Sequence, residues 1–86
     1  MNAVFIFSNK INGKLNSEKI ILGIDPGTTI MGFGIIKIVG KKMEFIQMNE
    51  LLLKKYDDHY LKLKLIFERT LELIDTFNPD EIAIEA

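Results

Sequence analysis

The sequence predicts an α/β fold built on one mixed β-sheet. Three observations indicate this: short β-branched runs separated by turn residues, one segment whose apolar residues recur with a period of 3.6, and a last apolar run after that segment. A helix between two strands is the usual connection for a parallel pair. We therefore expect an antiparallel meander of three strands, a crossover helix, and a fourth strand parallel to the first.

The meander is predicted over residues 19–49. Its first strand, residues 20–25, ends at Asp25 because Pro26 has no backbone donor for a ladder and Gly27 accepts turn geometry. The second and third strands are predicted at residues 30–39 and 43–49, joined by a hairpin turn at Gly40-Lys41-Lys42.

The crossover helix is predicted over residues 60–77, where the hydrophobic period changes from two to 3.6. Asp57 or Asp58 is suited to cap its start, and Asn78-Pro79 ends it. The fourth strand follows at residues 81–85, and the crossover places it beside the first, giving the order third, second, first, fourth. The predicted apolar face comprises Leu63, Ile66, Phe67, Leu71, Ile74 and Phe77.

Residues 1–18 are interpreted as an N-terminal extension, and residues 19–86 as part of one domain. The apolar stretch at residues 3–7 lacks the charged start and the length of a signal peptide. We expect a mobile arm here. A short extra edge strand at residues 4–7 is the alternative.

Composition excludes several classes of protein. The 86 residues contain no cysteine, which removes disulfides and thiolate metal sites, and His59 is the single histidine, which removes an imidazole zinc site. No apolar run approaches the ~20 residues of a membrane span, so no membrane association is expected. Net charge is −1, but all 11 basic residues lie between Lys10 and Arg69. The lysines among them form either a solvated surface or a weak phosphate-contacting one.

Two predicted strands end in a carboxylate, Asp25 and Glu85. If the strands are parallel neighbours, both acids meet at one edge of the sheet. Strand alternation puts Gly23 on the face of Asp25 and Ala83 on the face of Glu85, which leaves space beside each acid. Two carboxylates suit Mg²⁺ or Mn²⁺, which complete their shell with water and substrate phosphates. The alternative is that Asp25 only begins a turn and Glu85 only ends a strand.

Two segments carry a resemblance to a known family. ILGIDPGTTIMGFGII at residues 21–36 and PDEIAIEA at residues 79–86 resemble the corresponding segments of RuvC-type Holliday junction resolvases. The resemblance implies a ribonuclease H-like fold and a cytoplasmic, homodimeric endonuclease that cuts four-way DNA junctions in recombination and repair, working with a branch-migration helicase complex. It also implies two Mg²⁺ per active site, replaceable by Mn²⁺, with Asp25 bridging both ions and Glu85 holding one.

The family's two further catalytic acids have no counterpart in this sequence. We therefore expect an incomplete domain that is inactive and marginally stable alone, with an unpaired outer edge on the fourth strand. LGIDPGTT also resembles the phosphate loop of actin-like ATPases and sugar kinases, in which Asp25 would position Mg²⁺ for a nucleotide. The resolvase-like ribosomal RNA nucleases rank third, and a purely structural fragment is the remaining alternative.

Overall fold

The computed structural model describes residues 4–8, 18–27 and 29–85. These contain, in chain order, β1 (Val4–Ser8), β2 (Glu18–Asp25), β3 (Ile30–Val39), β4 (Lys42–Leu52), α1 (His59–Phe77) and β5 (Glu81–Glu85). The strands form one sheet in the order β1-β5-β2-β3-β4. Strands β2, β3 and β4 are an antiparallel meander, and β5 runs parallel to β2. The predicted mixed α/β sheet is confirmed, and so is the order of the four predicted strands, β5-β2-β3-β4; β1 adds a fifth strand beside β5.

One face of the sheet carries the hydrophobic core. Along β2, Leu22 and Ile24 are buried while Asp25 is exposed, as the two-residue period requires. Helix α1 packs over this face through the buried Leu73. The core cluster consists of Leu22, Ile24, Met31, Phe33, Ile35, Leu53 and Leu73.

Both ends of α1 are capped as the sequence predicts. The Asp58 carboxylate accepts hydrogen bonds from the backbone N–H groups of Tyr60, at 2.9 Å, and Leu61, at 3.3 Å. At the other end Asn78 adopts φ 47° and donates its N–H to the Ile74 carbonyl at 2.8 Å. His59 is the first helical residue and is exposed, in agreement with a surface role. No helix in the described ranges combines the length and apolar character needed to cross a bilayer.

The predicted apolar face of α1 is only partly correct. Ile66, Ile74 and Phe77 pack against the core, but Leu63, Phe67 and Leu71 are exposed by 54%, 66% and 45%. The Arg69 guanidinium donates to the Asn49 side chain on β4, which directs that flank of the helix toward β4. The apolar stripe is wider than the surface of the sheet it covers, so its far flank meets solvent.

The expectation of a mobile arm is wrong for Val4–Ser8. This segment pairs antiparallel with β5, from Val4 opposite Glu85 to Ser8 opposite Glu81. The expected unpaired outer edge of β5 is therefore wrong as well. The outer edge of β5 has N–H and C=O groups that can pair with a further strand. Residues 4–8 are rich in β-branched and aromatic side chains, which suit a strand. Residues 1–3 and 9–17 of the extension lie outside the described part, and the domain boundary at residues 18 and 19 stays a prediction.

Asp80 joins the start of β5 to the start of β2. Its carboxylate, in a residue only 9% exposed, accepts a hydrogen bond from the Ile20 N–H at 2.8 Å, and its own N–H donates to the Ile20 carbonyl at 2.7 Å. Next to it, Lys19 and Glu81 form an ion pair at 2.6 Å. These contacts set the parallel register that begins with Ile21 opposite Glu81. The far ends of β2 and β5 are level as a consequence.

Gly27 in the turn after β2 is expected to tolerate no side chain. A Cβ there would lie 2.3 Å from the Ile30 carbonyl oxygen, which is backbone and cannot move aside without opening the turn. We expect Gly27→Ala to lower the free energy of unfolding by about 1–3 kcal/mol, measured by urea denaturation. Gly34→Ala is the matched control, since a Cβ at Gly34 meets no atom within 4 Å. Equal effects of the two substitutions would contradict this account of the turn.

Candidate functional site

The structure brings Asp25 and Glu85 to the same edge of the sheet. Each is the last residue of its strand, and the last pair in the β2–β5 register is Ile24 opposite Ile84. The next position on each strand is therefore Asp25 and Glu85. Neighbouring strands lie about 4.8 Å apart. Two carboxylates held level on adjacent parallel strands are within reach of one cation.

Both carboxylates line an open groove of about 350 Å³ on the sheet face opposite α1. The alternation predicted for Asp25 is seen in the burial of β2, where Leu22 and Ile24 are buried and Asp25 is exposed. Gly23 and Ala83 line the groove with the two acids, as do the core residues Ile24 and Phe33. Its remaining lining residues include Gly32, Gly34, Ile36, Phe45 and Met48.

Glycines make the space beside Asp25. Gly32 lies opposite Asp25 in the β2–β3 register, and a Cβ there would stand 3.6 Å from the Asp25 Cβ. Gly34 lies opposite Gly23. Side chains at these positions would project from the groove face of the sheet and narrow the approach to the carboxylate. The GFG sequence at residues 32–34 has a low strand propensity, but its two glycines keep the groove beside Asp25 open.

The wall formed by Phe45 and Met48 could not be located from the sequence. Met48 lies opposite Gly34 and Phe45 opposite Ile36, while the register shifts between Ile35 and Ile36. This irregularity places both side chains on the groove face although they are three positions apart in β4. Their exposures of 68% and 74% show that the described residues leave this wall uncovered. An odd spacing between two bulky residues in one strand is the only signal available beforehand.

The chemistry of the groove favours a hard divalent cation. Asp25 is exposed, and among the described residues no hydrogen bond or ion pair engages its carboxylate. Lys19, the cation nearest in sequence on β2, is paired with Glu81 at the opposite end of the strand. Within the described ranges, no group of three or more aspartate, glutamate, histidine or cysteine side chains is arranged to hold a metal ion. Two carboxylates match the small protein contribution with which Mg²⁺ is held beside waters and substrate phosphates.

A mixed sheet with an antiparallel meander, a crossover helix and acids at adjacent strand ends defines an incomplete ribonuclease H-like α/β fold. Within that class, the family model described as crossover junction endodeoxyribonuclease RuvC matches residues 21–86. The chain belongs to the RuvC family. The match includes both Asp25 and Glu85 and excludes β1.

Curated relatives agree with this assignment. A crossover junction endodeoxyribonuclease RuvC of Christiangramia forsetii is 79% identical over 72 residues, which cover 84% of this chain and 38% of the relative. Relatives of the same name from Bacteroides fragilis and Porphyromonas gingivalis are 56% and 51% identical over 80% of this chain and 37% and 36% of their own lengths. The chain thus spans less than two fifths of these relatives. No solved structure gives a significant match.

Proposed function

We propose that this chain forms part of a Mg²⁺-dependent endonuclease that resolves four-way DNA junctions, with Asp25 and Glu85 as metal ligands. The observation that carries the proposal is the level placement of the two carboxylates on β2 and β5 in a member of the RuvC family. The family name of the relatives supports the reaction class, the hydrolysis of phosphodiesters at crossovers.

The residues of the groove have distinct parts in this reaction. Asp25 and Glu85 would hold Mg²⁺, which supplies charge neutralisation and an acidified water when it is bound. The resemblance to the family implies that Asp25 would contact both ions and that Glu85 would hold one; in this chain Gly32 leaves space beside the Asp25 carboxylate. Gly23, Gly32 and Gly34, which line the groove, would leave room for a phosphodiester to approach both carboxylates. Because the strands fix both acids, little reorganisation is needed when the substrate arrives.

Two carboxylates are too few for a complete two-ion site. The described residues offer no third ligand beside them, which supports the expectation that the 86-residue chain binds metal weakly and does not cleave DNA alone. Homodimerisation and a branch-migration helicase partner in the cytoplasm belong to the same proposal, since the resemblance implies them. No feature of the groove favours a nucleotide phosphate loop instead.

The proposal is tested by a chimera in which this chain replaces the matching N-terminal part of the Christiangramia forsetii relative. At 79% identity over the matched residues, the two cores are expected to be interchangeable. The chimera should cleave a four-way junction with Mg²⁺ and leave a linear duplex of the same sequences uncut. Cleavage of both substrates alike, or of neither while the relative itself is active, would contradict the proposed function.

A further inference from the structure

A second pocket lies at the same edge of the sheet as the two carboxylates. It has a volume of about 710 Å³ and is lined by Thr29, Ile30, Leu52, Lys54 and Lys55. Ile30 opens β3 and lies opposite Leu52, the last residue of β4. The end of β3 that holds Ile30 is also the end that holds Gly32, the neighbour of Asp25. The pocket is therefore beside the groove that Asp25 and Glu85 line.

The apolar wall of this pocket belongs to the groove face of the sheet. Ile30 and Gly32 are two positions apart on β3, so they share a face, and Asp25 lies opposite Gly32. Ile30 and Leu52 are exposed by 48% and 58%. A ligand that passes over Asp25 along this face would meet the two apolar side chains next.

The backbone around the two lysines is hydrogen-bonded to neighbouring segments. The Thr29 carbonyl accepts hydrogen bonds from the N–H groups of Leu53, at 2.7 Å, and Lys54, at 3.1 Å. The Lys55 ammonium lies 5.2 Å from the centre of the Tyr56 ring, a cation–π distance that limits its range. The turn that carries Lys54 and Lys55 is therefore hydrogen-bonded to the residue that precedes β3.

Neither lysine is neutralised by a carboxylate within the part of the chain that the structure describes. Lys19, Lys37 and Lys64 each pair with a glutamate, whereas Lys54 and Lys55 form no such pair there. Among the described residues, no acidic side chain lines the pocket. Two unpaired ammonium groups above an apolar wall match a phosphodiester attached to a deoxyribose, whose ring is largely apolar.

We infer that this pocket, termed the Lys54/Lys55 pocket, binds the phosphate and sugar of a DNA nucleotide that flanks the phosphodiester to be cleaved. Lys54 and Lys55 contact the phosphate, and Ile30 and Leu52 pack against the sugar. The inference rests on the proposed function and extends it, because it names residues that position the strand without contacting the metal. They also offset the negative charge that Asp25 and Glu85 present to DNA.

The test compares two double substitutions that each remove two positive charges. Binding of a fluorescein-labelled four-way junction to the chimera is measured by fluorescence anisotropy, in EDTA and across a series of salt concentrations. Lys54→Gln with Lys55→Gln should weaken binding by about tenfold and lower the slope of log K against log salt by about 1–2. Lys41→Gln with Lys42→Gln, on the hairpin turn at the other end of β3 and β4, should leave both nearly unchanged.

Two further results distinguish binding in the Lys54/Lys55 pocket from nonspecific electrostatic attraction of DNA. Leu52→Asn should weaken binding a few-fold with an unchanged salt slope, because it alters the wall and no charge. In the chimera, the Lys54/Lys55 substitutions should raise KM for the junction and leave kcat unchanged. The inference is overturned if both lysine pairs have equal effects, or if poly-glutamate displaces the labelled junction as well as unlabelled DNA does. Cleavage by the chimera would in either case leave the proposed function standing. Failure of the chimera to cleave would overturn the proposed function itself.

Discussion

Asp25→Asn is expected to lower junction cleavage by the chimera by about 1,000-fold. The substitution keeps the shape of the side chain but removes the charge that, in the proposed function, would hold the cation. Metal ions contribute several kcal/mol to the stabilisation of such transition states, and each 1.36 kcal/mol is a factor of ten in rate. Glu85→Gln should have a smaller effect if it holds one ion rather than bridging two. Single-turnover cleavage of a labelled junction with Mg²⁺ gives both rates.

Folding must be separated from chemistry in this experiment. Asp25 is exposed and has no partner among the described residues, so Asp25→Asn should change the free energy of unfolding by less than about 0.5 kcal/mol. Asp75→Asn is the matched control, because Asp75 is exposed on α1, over the opposite face of the sheet. The predicted role of Asp25 is wrong if both substitutions give the same rate, or if the loss of activity follows a loss of stability.

Asp80→Ala is expected to give the largest loss of stability among substitutions of polar residues. It removes the acceptor of the Ile20 N–H, at a position only 9% exposed. An unsatisfied buried donor costs about 1–3 kcal/mol, and hydrogen bonds to a charged group lie in the upper part of that range. We therefore expect a loss of about 2–3 kcal/mol in the free energy of unfolding, measured by urea denaturation at pH 7.

Asp80, which directly precedes β5, is also expected to affect the placement of Asp25 and Glu85 at the other end of that strand. Its two hydrogen bonds with Ile20 hold the parallel register, and the register makes Asp25 and Glu85 level. Amide exchange should increase along β5 in Asp80→Ala while that in β3 and β4 stays slow. Asp75→Ala keeps the chemistry of the substitution at an exposed site and should be within about 0.5 kcal/mol of wild type. A loss as large in Asp75→Ala would refute the register role of Asp80.

Much of the fold follows from local signals in the sequence. The limits of β3 and β5 follow from Pro26-Gly27, Gly40 and Asn78-Pro79, because these residues end or turn elements through their own backbone preferences. The parallel pairing of β2 and β5 follows from the single helix between them. Together these rules place Asp25 and Glu85 at one edge before any coordinates are known.

What the sequence could not provide depends on pairing between distant elements. Whether residues 4–8 pair with β5 is decided by the free edge of β5, not by the segment itself. The bulge that brings Phe45 and Met48 to the groove depends on cross-strand register. The contact between Arg69 on α1 and Asn49 on β4 joins two elements that are distant in the sequence. Lys54 and Lys55 appear as two of many surface lysines until the end of β4 is placed beside Thr29.

Titration with Mn²⁺, followed by amide NMR signals of the 86-residue chain, tests most directly whether Asp25 and Glu85 form one cation site. The paramagnetic ion broadens nearby signals, so loss of intensity should centre on Gly23, Gly32 and Ala83, which line the groove beside the two acids. Asp25→Asn and Glu85→Gln should each remove this pattern, and Asp75→Asn should keep it. Broadening that persists in both groove variants, or that centres on Asp57 and Asp58 instead, would contradict the shared site.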